Sequence, residues 1–284
     1  MSESLKRVAP IGEERDREIL KDAATYSYKE SPHGSVQAHI FFPQEGQKAG
    51  RPRPAVIFFH GGFWDIPTPT QFVPHCLHFS SRGAVTIAAE TRTESRHGAG
   101  AMEAVEDARD LIRWVRDNAS DFCIDPDRII VGGAAGGALL ALMTTMPKDK
   151  SLEANGSVNC RAQALILFSA LVAPLSVPKA LHRFADPKQA KSHSPLHKVR
   201  GKLPPVIAFH GKADRITPFS HIDKLRRKMR FRRNRFELID FERADHSFFN
   251  FNVSHDRFEA TIVAADRFLV DLGLLEANPD EESY

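Results

Sequence analysis

Three short stretches of this chain hold residue types that do chemistry when brought together. Asp214 lies in His210-Gly211-Lys212-Ala213-Asp214-Arg215-Ile216-Thr217-Pro218, after an apolar run ending at Phe209, and His246 lies in Ala244-Asp245-His246-Ser247-Phe248-Phe249, after another. A carboxylate that accepts a hydrogen bond from one imidazole nitrogen fixes the tautomer and leaves the other nitrogen free to take a proton. In the third stretch, His60-Gly61-Gly62-Phe63-Trp64, glycines follow a further apolar run. Backbone N–H groups of this stretch could there converge on a developing oxyanion. Taken singly, each stretch also has a plainer reading: a glycine turn, a helix-capping aspartate, a structural histidine.

Such an acid–base pair needs a nucleophile. Ile129 to Leu140 is a β-branched run that breaks into glycines and restarts as an apolar helix, the form of a Gly-x-Ser-x-Gly elbow in which a serine is lifted on a sharp strand-to-helix turn. With Gly132 and Gly136 as the flanking glycines, the centre is Ala134, which has no hydroxyl, and the Ala135 N–H would be the second part of the oxyanion hole. A glycine-rich turn into a helix can also cradle a phosphate. Here no Gly-Lys-Ser/Thr follows, and no G-x-G-x-x-G spacing fits. Ser169 is a poor substitute nucleophile, since it ends a strand without flanking glycines.

These stretches must be positioned by regular elements. Residues 25–29 and 36–42 alternate apolar and polar around Ser31-Pro32-His33-Gly34 and predict a hairpin. Residues 55–59, 84–89, 129–131, 164–168, 205–209 and 236–241 are short apolar runs suited to strands, most of them buried on both faces. Between them, 71–82, 101–118, 136–146, 220–229 and 256–272 have helical spacing. Alternating strands and helices predict an α/β fold with a mostly parallel sheet covered on both faces, and ligands bind such sheets at the strands' carboxyl ends. Residues 1–284 read as one domain, with 173–203 a small cap or loop insertion.

Composition narrows the function classes. The 284 residues are 42% hydrophobic with a net charge of +3, and no run of eighteen apolar residues suggests a membrane span. Neither a membrane nor a nucleic-acid partner is expected, and the basic run Lys224 to Arg235 reads as a solvated helix face. Cys76, Cys123 and Cys160 form no C-x-x-C pair, against a zinc ribbon or a disulfide framework. His75 with His78, and His193 with His197, have ligand-like spacing without a third ligand, so no metal and no cofactor is expected. The start of the chain lacks a signal-peptide core, which suggests a cytoplasmic protein, or a secreted or periplasmic one whose signal has been removed.

The order nucleophile site, acid, histidine resembles the α/β-hydrolase superfamily, in particular its esterase/lipase branch with HGG-type oxyanion loops, which includes acetyl esterases and hormone-sensitive-lipase-like carboxylesterases. The elbow resembles that branch's V-G-G-S-A-G-G, and Asp125-Pro126-Asp127-Arg128-Ile129 its D-P-x-R-I lead. The resemblance runs from about Thr25 to Leu272. It implies an α/β-hydrolase fold with Ala134 at the nucleophile position, Asp214 as the acid, His246 as the base, and Gly62, Phe63 and Ala135 as oxyanion donors.

With a serine restored, the implied function is a serine carboxylesterase. His246 would take the serine proton, the alkoxide would attack the ester carbonyl, and water would release the acid. Phe63 and Trp64 beside the oxyanion loop suggest a short acyl group such as acetyl. Trp64, Asp65 and Phe248 are candidate substrate contacts, with an acetylated carbohydrate as a candidate ester and a homodimer allowed. As written, the chain forms no acyl-enzyme. Ala134 therefore reads as a deliberate Ser→Ala replacement, with two rivals: a natural binding protein of the kind represented by the plant gibberellin receptors, and an arylformamidase-like amidase.

Overall fold

A computed structural model describes residues 5–44, 51–146 and 159–277 of the chain. Its eight strands are β1 (Ala24–Ser31), β2 (Gly34–Phe41), β3 (Arg53–Phe59), β4 (Val85–Ala89), β5 (Ile124–Ala134), β6 (Ala164–Phe168), β7 (Val206–Gly211) and β8 (Phe236–Phe241). They form one sheet in the order β1-β2-β4-β3-β5-β6-β7-β8. The first hairpin and its junction with β4 are antiparallel, and every later pairing is parallel. The expected architecture is therefore present.

The two faces of the sheet carry separate cores, because successive residues of a strand point to opposite sides. Ile57, Val131 and Leu165 face one way and pack with the helices Ala101–Asp117, Gly136–Met143 and Phe219–Phe231. Val56, Phe58, Ile130, Ile166 and Ile207 face the other way, against the helices Val73–Ser81 and His255–Asp271. Central strands are thus buried on both sides, which is why they read as unbroken apolar runs rather than alternating ones.

The second core holds His75 among the rings of Phe58, Phe72, Phe168, Phe249 and Phe258. Burial pushes this imidazole down to about 3, so it stays neutral. His78, three residues on, instead bonds Asp266 at 3.1 Å. The two histidines that the sequence places at ligand-like spacing thus serve different surroundings.

Residues 173–203 fold as short helices, Pro178–Leu181, Pro187–Ser192 and Pro195–Lys198, each opening on a proline whose missing N–H costs nothing at that position. The segment packs beside the Trp64 loop. Phe184 meets the Trp64 ring edge-on at 5.9 Å between centroids, and the Arg183 carbonyl accepts the N–H of Ala101 at 3.0 Å. Among the described residues no helix is long and apolar enough to cross a membrane.

Candidate active site

The elbow lies where β5 meets the helix Gly136–Met143, and its geometry moves the centre by one residue. Ala134 is ordinary strand, paired with Phe168. Ala135 carries the strain, with φ 46° and ψ −111°, a region that L-residues rarely occupy. All four glycines around it are too crowded for a side chain: a Cβ would sit 2.7 Å from the Phe58 ring at Gly132, 2.6 Å from the Gly137 carbonyl carbon at Gly133, 2.4 Å from the Gly62 oxygen at Gly136 and 2.2 Å from the Phe59 oxygen at Gly137. With Ala135 as the apex, the small-residue pair two positions either side is Gly133 and Gly137. The residue with the strained dihedrals of an elbow apex is Ala135, not the expected Ala134, and the N–H that follows it belongs to Gly136, not Ala135. Four glycines at 132, 133, 136 and 137 fit either register in the sequence; only the backbone dihedrals separate them.

On the acid–base side the expected residues meet. His246 Nδ1 lies 2.8 Å from Asp214 Oδ2. The Asp214 side chain is fully buried, whereas the His246 ring keeps 19% of its surface. The other carboxylate oxygen accepts the N–H groups of Ile216 (2.8 Å) and Thr217 (2.9 Å), and the Thr217 hydroxyl donates to Oδ2 at 2.9 Å. His210 Nε2 stands 3.3 Å from the same oxygen. Burial by itself would raise the Asp214 pKa. The hydrogen bonds from His210, His246 and the Thr217 amide outweigh it and hold this carboxyl well below the usual range. With Asp214 ionised and accepting at Nδ1, the imidazole keeps Nε2 as its proton acceptor.

The two sides meet across the end of β6. The Ala135 N–H donates to the Phe168 carbonyl (3.1 Å), and the Ser169 hydroxyl donates to the His246 carbonyl (2.7 Å). Ser169 is thus a brace for the histidine loop. Its own carbonyl also lies 2.9 Å from the Thr217 hydroxyl, sharing that single donor with Asp214.

The oxyanion loop follows β3, as expected, but its carbonyl and amide groups are arranged differently from a ready hole. The Gly136 N–H, which should face the reacting oxygen, donates to the Gly62 carbonyl at 3.1 Å. Gly62 sits at φ +94°, and a Cβ on Gly136 would lie 2.4 Å from that same oxygen. The second half of the hole is therefore filled by the chain's own backbone. The Gly62 and Phe63 N–H groups take no partner among the described residues.

Gln71 holds the loop from below: its Oε1 accepts the Gly61 N–H at 2.6 Å, and its Nε2 donates to Asn250 Oδ1 at 3.0 Å, joining the oxyanion loop to the histidine loop. From the far side, Glu94 and Ser95 donate to the Trp64 and Asp65 carbonyls, and Arg96 pairs with the buried Glu90 at 2.8 Å.

The candidate substrate contacts divide. Phe248 is fully buried in the second core, its ring 4.7 Å from that of Phe241, so it packs the loop and lines no pocket. Trp64 is also buried, held at φ 59° against Phe184 and the Gly136 backbone, which leaves no face for stacking on a sugar. Asp65 is half-buried and accepts the N–H of Ile66 at 3.1 Å. Sequence reading passed over Thr217, His210, Gln71 and Asn250. Only Thr217 had a local signal, three residues after the aspartate it caps.

The same fold recurs in known proteins. Residues 39–175 match the BD-FAE family model, and residues 167–269 match the dienelactone hydrolase family. The esterase 2 of Thermogutta terrifontis with propionate bound superposes with a TM-score of 0.83 at 35% identity, over 91% of this chain and 97% of that one. Its native form gives 0.84 at 34% identity, over 92% and 96%. This chain belongs to the α/β-hydrolase esterases. Among relatives known from sequence, LipM of Mycobacterium tuberculosis is 23% identical over 250 residues, covering 77% of this chain and 54% of LipM. The esterase LipQ of the same organism is 28% identical over 186 residues, 60% of this chain and 44% of LipQ. The chain thus spans about half the length of these two relatives.

Proposed function

We propose that this α/β-hydrolase esterase is a carboxylic ester hydrolase scaffold for short acyl groups that holds its ligand without forming an acyl-enzyme. The observation that carries this reading is Ala135 at the strained apex, while Asp214 and His246 remain paired at 2.8 Å. Alanine has no atom to attack a carbonyl, and removing a triad member leaves only the residual catalysis of the remaining groups. The short acyl group is supported by the propionate and butyrate bound in the Thermogutta esterase.

The closed amide favours a natural binding protein over a lone Ser→Ala replacement. Replacing the nucleophile alone would leave the following N–H facing an open hole, whereas here the Gly136 N–H donates to the Gly62 carbonyl, which approaches closely enough to exclude a Cβ at 136. A ligand carbonyl or carboxylate must displace the Gly62 oxygen to reach that donor.

Calorimetric titration of the unaltered chain with butyrate, beside turnover of p-nitrophenyl butyrate by the Ala135→Ser variant, tests the proposal. Butyrate binding together with hydrolysis gained by the variant is expected. A folded Ala135→Ser variant with no hydrolysis, or an unaltered chain that hydrolyses the ester through His246, would overturn it.

A further inference from the structure

The basic run that the candidate site leaves unused has a structure of its own. Residues 224–235 contain eight Lys and Arg and no acid, so the rest of the chain carries more acid than base. They form the second half of the helix Phe219–Phe231 and the turn into β8. Ile222, Leu225 and Met229 bury one face of that helix. Phe231 has no place on it and is 82% exposed, the most exposed large apolar side chain among the described residues.

A second basic segment is fastened alongside. Asn234 is buried, donates from Nδ2 to the Arg200 carbonyl at 2.6 Å and accepts the Leu203 N–H at 3.0 Å. This ties the loop carrying Lys198 and Lys202 to the end of the helix. Between the two lies a groove of about 560 Å³, with Leu196, Val199 and Phe231 as its apolar part and Arg227, Lys228 and Arg232 around it. Lys198, Lys202, Arg230 and Arg233 have no carboxylate partner among the described residues. The face lies where β7 and β8 begin, so Asp214 and His246, which follow the other ends of those strands, are left clear.

We propose that this face docks on an anionic lipid membrane. Each Lys or Arg held near such a surface gains attraction that decays within a Debye length, and stable attachment takes a second signal besides charge. Phe231 supplies it: an aromatic ring projecting from a ring of cations enters the headgroup boundary while the guanidinium groups stay at the phosphates. A nucleic-acid track needs successive stacking rings along a groove, and here a single aromatic is exposed among the cations. The sequence alone points to a solvated helix face, because the exposure of Phe231 depends on where the helix ends against the 198–203 loop.

Flotation of the full chain with phosphatidylcholine vesicles, with and without phosphatidylglycerol, tests the proposal. Heparin retention serves as a measure of charge alone. Binding is expected only with the anionic lipid and is released by high salt. Phe231→Ser, at an exposed position, should weaken vesicle binding by about ten-fold and leave heparin retention unchanged. Arg230→Glu with Arg233→Glu should weaken both, by about five-fold or more for each charge removed. No binding to anionic vesicles at low salt overturns the proposal. So does heparin or RNA retention without vesicle binding, or vesicle binding indifferent to Phe231→Ser.

Discussion

The two halves of the candidate site have fared differently. Around Asp214 every polar atom that a working acid–base pair requires is in place, down to the Thr217 amide and hydroxyl that hold the carboxylate ionised. Around Ala135 the backbone is strained, with φ at 46° and glycines packed against Phe59, but the side chain presented there is a methyl group and the adjacent amide is bonded to Gly62. The contrast separates what the fold needs from what the reaction needs. The elbow's turn joins the central strand β5 to a fully buried helix, so it persists whatever side chain it presents. The Asp214–His246 pair is held instead by its own hydrogen bonds, to the Ile216 and Thr217 amides and the Thr217 hydroxyl.

Several changes would break or sharpen this contrast. The largest effect is expected on the intact side. In an Ala135→Ser background, Asp214→Asn should lower kcat by about 10⁴-fold, because the imidazole then loses the partner that sets its tautomer. Activity that survives this change would mean that His246 is not the base. Next comes the backbone of the elbow. Gly137→Ala should destabilise the chain by about 3 kcal/mol or more in urea unfolding, since its Cβ would meet the Phe59 oxygen at 2.2 Å. A tolerated Ala there would mean that the helix after the elbow does not approach the Phe59 carbonyl this closely.

A smaller effect of opposite sign should appear at the apex itself. Ala135→Gly should stabilise the unaltered chain by about 1 kcal/mol, because glycine adopts positive φ without the Cβ clash. If strain at this point is absent, the variant will be neutral or less stable.

The pH dependence separates the halves once more. The folded-state pKa of Asp214 is depressed, so its stabilising contribution is present above the ordinary carboxylate range near pH 4 and is lost as pH falls below it. Asp214→Asn should remove up to about 1.4 kcal/mol per pH unit of slope in acid unfolding, whereas Ala135→Gly should leave that slope unchanged.

Much of this was legible in the sequence because it rests on patterns that burial imposes locally. The runs 55–59, 164–168 and 236–241 announced their strands, and Asp214 and His246 were recognisable because each follows a strand in the order an α/β-hydrolase esterase requires. The register of the elbow was not legible, since glycines two residues from either Ala134 or Ala135 satisfy the same pattern. Nor was the Gly136–Gly62 hydrogen bond, which joins residues far apart in the chain through backbone atoms alone. Phe248 looked like a pocket wall beside His246, but the turn after β8 folds it inward onto Phe241. Gln71 and Asn250 carry no local signature, because their partnership exists only once the loops after β3 and β8 have been brought together.

The central claim, that the elbow apex is residue 135 and that a serine placed there would be served by His246, has a direct covalent test. The related esterase from Thermogutta is phosphorylated by paraoxon. Intact-mass measurement after paraoxon treatment should be run on the Ala135→Ser and Ala134→Ser variants side by side. A single diethylphosphoryl adduct on Ala135→Ser and none on Ala134→Ser is the predicted result; an adduct on Ala134→Ser with none on Ala135→Ser would contradict it.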